Sequence, residues 1–281
     1  MNNFIGSERM KKEIDYLDLR MYKRSVYGSL TPSNNEIQIM DFVSDTLDTK
    51  YEPINLETMN INMAIEKGIK SLTVFNRKYI NKVNKIEFYT YDDLPANDLR
   101  TIISYNVLDS NKIKRGKVLE IKVPSETSEL SPIWIGHELI HSLKDTNYYE
   151  YILIDIASEV LPIFYEMLVS NTLFKDLHDK WKEYRLSFLS NHKDIYRQLE
   201  DKSKIDNRYN LIRYEYGQYL TSYYYALNLF HLYKQNPKII TKNINKVLTQ
   251  KMTTLDLLKK FNIYNIDKEH VNIYKFEHSK L

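Results

Sequence analysis

The chain contains no cysteine. Disulfides, zinc ribbons and a thiol nucleophile are thereby excluded, and any metal has to be held by His, Asp or Glu. Glycine and proline are scarce, 6 and 7 in 281 residues, so little interrupts a helix and long helices should dominate. No run approaches the roughly 20 apolar residues that span a bilayer, and the residues from Met1 to Glu8 lack a basic start followed by an apolar stretch. The expectation is a cytoplasmic protein with no membrane partner, export by an unconventional route staying open. No charge of one sign prevails either: 40 basic and 37 acidic residues leave +3, and the lysines are scattered, which argues against nucleic acid as partner.

The 43% hydrophobic content suffices for one substantial core. From about Met1 to Asn84, apolar positions such as Ile37, Met40, Phe42, Val43 and Leu47 recur at helical spacing. Between Lys85 and Pro124 the segments around Ile86 to Tyr91 and Val118 to Val123 are short and rich in β-branched or aromatic residues. They predict a small antiparallel sheet. After Pro132 the helical pattern returns and runs to about Lys260, with breaks expected near Asp145, Lys175, Ser203 and Pro237. The fold class is therefore mainly α (α+β), with a helical segment over 1–84 and a second unit over 85–281. Tyrosine is abundant, 24 against 10 Phe and 2 Trp, which suits rings packed at helix edges with their hydroxyls wet, some of them lining a cleft.

One motif carries chemistry: His137-Glu138-Leu139-Ile140-His141. Two His four residues apart on a helix project from one face, one turn apart, so both imidazoles can reach a single zinc ion. Glu138 then sits beside the metal without binding it, placed to take a proton from a metal-activated water. The uncharged flanks, Ile133 to Gly136 and Ser142 to Leu143, suit a helix with one buried face. A buried helix with two hydrogen-bonded histidines would read the same way.

A third ligand is required. Glu159 and Glu166 are seven residues apart, close to two helical turns, so both carboxylates can face one site. They lie 18 and 25 residues after His141, and spacing alone leaves both open. Asp145 and Asp155 are candidates for orienting an imidazole through its other nitrogen. His178, His192, His231, His270 and His278 lack partners at metal-binding spacing and read as structural or surface groups.

From about Val118 to Ile263 the sequence resembles the thimet oligopeptidase and oligoendopeptidase F family of gluzincin peptidases. There the zinc motif is followed by a helix reading approximately E-V-A-S-T-F-N-E, whose first Glu is the third ligand. Glu159-Val160-Leu161-Pro162-Ile163-Phe164-Tyr165-Glu166 is similar to it, with Pro162 where a Ser is common. The resemblance implies Glu159 as ligand and Glu166 as a lining or alternative carboxylate. The family's Tyr-rich helix, H-F-Y-N-A-P-F-Y-V-Y, is similar to the stretch from Asn207 to Tyr216. By resemblance Tyr216 and Tyr209 would stabilise the oxyanion and Tyr214 would touch substrate, while the family's His falls on Asn207. The stretches from Leu232 to Pro237 and from Thr253 to Ile263 are similar to the family's C-terminal helices.

The resemblance implies a zincin-like catalytic domain with one Zn2+ per chain. The expected activity is hydrolysis of peptide bonds in peptides or unfolded polypeptides, as an endopeptidase or oligopeptidase. An edge strand carrying Leu119, Ile121 and Val123 is expected to face the cleft and hold the substrate backbone by β-augmentation. Two alternatives stand beside this: a protease of narrow specificity for one protein partner, and a non-catalytic helical binding protein on the same fold.

Overall fold

The computed structural model describes residues 32–47, 54–83, 86–91, 103–106, 118–143, 159–204, 207–249 and 251–280. The polypeptide there is mainly helical with two small sheets. Helix α1 (Asn34–Thr46) begins at a capping box in which Ser33 and Glu36 satisfy each other's end of the first turn. A pair of short strands, β1 (Thr58–Met59) and β5 (Thr127–Ser128), is antiparallel and brackets the middle of the chain. Helix α2 (Ile61–Ser71) is capped by the Asn60 side chain, and a short 3-10 turn joins it to α3 (Lys78–Val83).

The larger sheet has three strands in the order β2-β4-β3: β2 (Glu87–Tyr91), β4 (Val118–Pro124) and β3 (Ile103–Asn106). It corrects the sequence reading twice. First, β2 and β4 pair in parallel, while β3, which lies between them in the chain, pairs antiparallel with β4 on its other side. Second, β4 is the central strand: Glu120, Ile121 and Lys122 face β2 on one side and β3 on the other. With both backbone edges taken over that stretch, β4 cannot receive a substrate strand. Ile121 and Val123 are fully buried and serve the core, and the side chain of Leu119 lies outside the described residues.

The helices that follow build the site. Helix α4 (Ser131–Leu143) carries the histidine motif, and α5 (Val160–Thr172) is buried on every side from Val160 to Ser170. A helix apolar all round belongs in the centre of a bundle. Pro162 is tolerated there because it falls in the first turn, where its missing N–H would have had no helical partner. A 3-10 turn leads back into α6 (His178–Gln198), so α5 and α6 run antiparallel; contacts pair Ser170 with His178 and Glu166 with Trp181 and Arg185. Then come α7 (Glu200–Ser203), the long α8 (Asn207–Gln235), α9 (Pro237–Val247) with Pro at its start, α10 (Thr254–Lys260) and α11 (Lys268–Lys280). The breaks expected near Lys175, Ser203 and Pro237 fall where helices end.

Two glycines let α4 sit deep in this assembly. A Cβ on Gly136 would lie 1.7 Å from the Tyr165 hydroxyl of α5, and one on Gly68 of α2 would lie 2.7 Å from Ile135. Side chains at either position would push α4 away from its neighbours. The apolar core is continuous from α1 and α2 through α4, α5 and α8, so packing runs across residue 84 without a gap.

Candidate metal centre

Along α4 every residue from Ser131 to Leu143 is buried except Trp134, His137, Glu138, His141 and Ser142, which are half-buried. The positions 134, 137, 138 and 141 form one helical stripe. That stripe borders the site, while the other faces of α4 are clamped by α2 and α5.

Opposite the stripe stands Glu159, at the start of α5. Its side chain makes no capping bond to its own helix and reaches towards the histidines instead. Glu159 Oε2 lies 3.1 Å from His137 Nε2, and Glu159 Oε1 lies 3.3 Å from His141 Nε2. The two Nε2 atoms are 3.3 Å apart. Two imidazoles and a carboxylate thus converge, with one donor atom of each within 4.8 Å of the others. Tetrahedral coordination by nitrogen and oxygen at roughly 2.0–2.1 Å spaces neighbouring ligand atoms about 3.3 Å apart. Furthermore, Glu159 Oε2 is buried and receives no hydrogen bond of acceptable geometry among the described residues. A cation fits that environment: it would satisfy the carboxylate and both Nε2 lone pairs together.

Glu166 is in the opposite condition. It is completely buried, and its two oxygens are saturated by Trp181 Nε1 at 2.9 Å, by Arg185 Nε at 3.0 Å and by a second, closer Arg185 contact through Nη2. It also accepts from His137 Nδ1 at 2.5 Å. A carboxylate only accepts, so His137 Nδ1 carries a proton, and Nε2 is the nitrogen that faces Glu159 and His141. Glu166 therefore holds an imidazole and stands apart from the convergent ligand atoms. Asp145 and Asp155, considered for that orienting part, lie outside the described residues.

The electrostatics follow from burial against charge. Burial alone would discharge His137, but the carboxylates of Glu159 and Glu166 beside it outweigh that and push the imidazole up to about 10. Burial would likewise raise the two carboxyls, yet both are held below the usual carboxylate range, Glu159 well below by the two imidazoles and Glu166 by Arg185 and His137. The field at this spot calls for positive charge, which a proton or a metal ion can supply.

Glu138, the expected base, shares the half-buried stripe with His137 and is not among the convergent ligand atoms. Beside it, Trp134 packs on Tyr184 of α6 with ring centroids 4.5 Å apart, and its buried Nε1 has no hydrogen-bond partner among the described residues. Tyr216 of α8 approaches the site through His192, the ring centroids lying 5.2 Å apart. Tyr209 is 37% exposed and sits by Lys202 two helical turns away from Tyr216, in no contact with the histidine pair. Tyr214 is half-buried; two residues from Tyr216, its side chain leaves the helix about 200° away, so one cleft cannot receive both. The side chain of Asn207 is outside the described ones.

Three participants were not assigned from the sequence: Trp181, Arg185 and His192. They lie on one face of α6 at spacings of four and seven residues, a pattern present in the sequence but indistinguishable there from an ordinary amphipathic helix. The remaining histidines have partners elsewhere: His178 contacts Ser170, His231 contacts Glu277, His270 contacts Asp267, and His278 contacts Tyr223. No protein-family model, no curated protein and no solved structure matches the chain. No helix among the described residues is long and apolar enough to cross a membrane.

Proposed function

We propose that the chain is a single-zinc peptidase of zincin-like fold, with His137, His141 and Glu159 as ligands. The observation that carries this reading is the convergence of those three side chains at 3.1–3.3 Å, the two histidines lying on the same half-buried stripe of α4 as Glu138 and Glu159 facing them from α5. A zinc ion held there would polarise the scissile carbonyl and make an attacking water more acidic. Glu138 takes the proton of that water and passes it to the departing amine, so the carboxylate ends as it began. Glu166, locked by Arg185 and Trp181, keeps His137 in the tautomer that leaves Nε2 unprotonated for the metal. The Tyr216 hydroxyl is the donor proposed for the oxyanion. The substrates proposed are peptides or unfolded polypeptides.

The test begins with metal analysis and a peptide library. The purified protein should contain one zinc per chain and cleave members of the library, while folded proteins should be spared. Glu138→Gln should keep the zinc and lose nearly all activity, because the residue handles protons and binds no metal. Loss of zinc in that variant, or a folded wild type that takes up no zinc, would overturn the reading.

A further inference from the structure

His192 is placed beside the metal centre by the geometry of an antiparallel helix pair. Glu166 of α5 meets Arg185 of α6. Seven residues back along α5 lies Glu159, and seven residues forward along α6 lies His192, each about 10 Å from that meeting point. The two therefore fall at the same level. The imidazole of His192 senses the charges of both Arg185 and Glu159, as that level requires.

The ring is tightly specified. Its Nδ1 donates to the Phe188 carbonyl at 2.8 Å, one turn back on its own helix. Phe188 lies against one side, with centroids 3.9 Å apart, and Tyr219 and Tyr216 of α8 close round it at 4.7 and 5.2 Å. Burial is the first cause that drives the imidazole down to about 4, so the ring is neutral at physiological pH. With Nδ1–H committed to a carbonyl, Nε2 is left as an acceptor, and no hydrogen bond to it is formed among the described residues. An acceptor cannot stabilise an oxyanion. On a peptide bound across the site, the groups it can meet are backbone N–H donors.

We propose that His192 is a substrate-contacting residue whose Nε2 accepts one backbone N–H of the bound peptide at the Glu159 end of the site. The proposal rests on the peptidase reading above. The aromatic surround shields the bond from competing water, so it contributes more than an exposed bond would. Meanwhile the Phe188 carbonyl fixes the tautomer, which lets the ring discriminate donors from acceptors.

The experiment uses the zinc-loaded full chain and two probes. One is acetohydroxamate, which needs only the metal. The other is a phosphinic pseudopeptide of alanines, with one phenylalanine before the phosphinate, together with its single N-methyl analogues. Acetohydroxamate should bind the wild type, His192→Phe and His192→Gln alike. The pseudopeptide should bind His192→Phe about tenfold more weakly, and His192→Gln, whose amide oxygen reaches the region of Nε2, should recover most of the loss. One N-methyl analogue should lose about tenfold on the wild type and nothing further on His192→Phe. Within the wild type, the 15N resonance of His192 Nε2 should move on pseudopeptide binding, a readout that needs no variant to fold. Equal pseudopeptide affinity in wild type and His192→Phe, or an unmoved Nε2 resonance, overturns the proposal and leaves the metal reading standing. Failure of acetohydroxamate to bind the zinc-loaded wild type overturns the metal reading, and this proposal with it.

Discussion

Glu159 and Glu166 are the same side chain on the same helix, two turns apart, and the fold treats them in opposite ways. Glu166 is sealed from water with every oxygen answered by Trp181, Arg185 or His137. Glu159 turns one oxygen to each imidazole, and one of those oxygens lacks a proper donor. A carboxylate whose acceptors are saturated serves as a support, whereas one left short beside two imidazoles has the character proposed for a ligand. The distinction comes from what faces each position: α6 supplies a cation and an indole opposite Glu166, and α4 supplies the histidines opposite Glu159.

The largest effect that would break this comparison is in stability. Removing one partner of a buried ion pair strands the other, so Glu166→Gln or Arg185→Met should destabilise the metal-free protein by about 3–5 kcal/mol. Glu159→Gln should cost less, because no guanidinium is locked against Glu159. Urea titration of the three variants reads both. Equal losses would mean that Glu159 is as structural as Glu166.

Next in size is the tyrosine hydroxyl. Tyr216→Phe should lower kcat by roughly 100- to 1000-fold at unchanged zinc content, the scale of one preorganised donor. Tyr209→Phe should leave kcat near wild type, because that side chain is exposed and sits by Lys202. If both or neither respond, the placement of Tyr216 near the site carries no mechanism. Gly136→Ala should cost about 1–3 kcal/mol by forcing α4 from Tyr165, with weaker zinc binding as the two helices separate.

The last comparison is a pH dependence. In the metal-free protein His137 is raised from 6.5 to about 10, so its contribution is complete below about pH 6.5 and fades as pH rises towards 10. Glu159 and Glu166 are lowered from 4.5; their contribution is present above that value and is lost as pH falls through their depressed ones. Melting temperature without metal should therefore fall from pH 6.5 to 10. Zinc replaces the proton, so the zinc-loaded protein should keep its stability over that range. Parallel curves for the two forms would contradict the shared site.

The histidine motif was legible because four-residue spacing on a helix is a local property. Helix breaks at Lys175, Ser203 and Pro237 were legible for the same reason. The sheet was not: strands around Glu87 and Val118 could be read from β-branched and aromatic content, but pairing depends on the crossover between them, which no local pattern encodes. Consequently a central strand was taken for an edge, and Ile121 and Val123 were assigned to substrate although they lie in the core. The choice between Glu159 and Glu166 was open on spacing for a related reason. Two residues seven apart share a face, and only the opposing helices tell them apart. Arg185 and His192 were hidden on an amphipathic helix whose polar positions look solvated until α5 and α8 are packed against it.

The most direct measurement of the central claim is the zinc affinity of Glu159→Gln against Glu166→Gln, by competition with a chromophoric chelator at fixed pH. Loss of a ligand should weaken binding beyond the roughly 10- to 100-fold range expected for losing a group that only orients one. Glu166→Gln should fall within that range and Glu159→Gln clearly below it, with both variants shown to be folded. The reverse order would make Glu166 the ligand, and unchanged affinity in both would mean that neither carboxylate serves a metal.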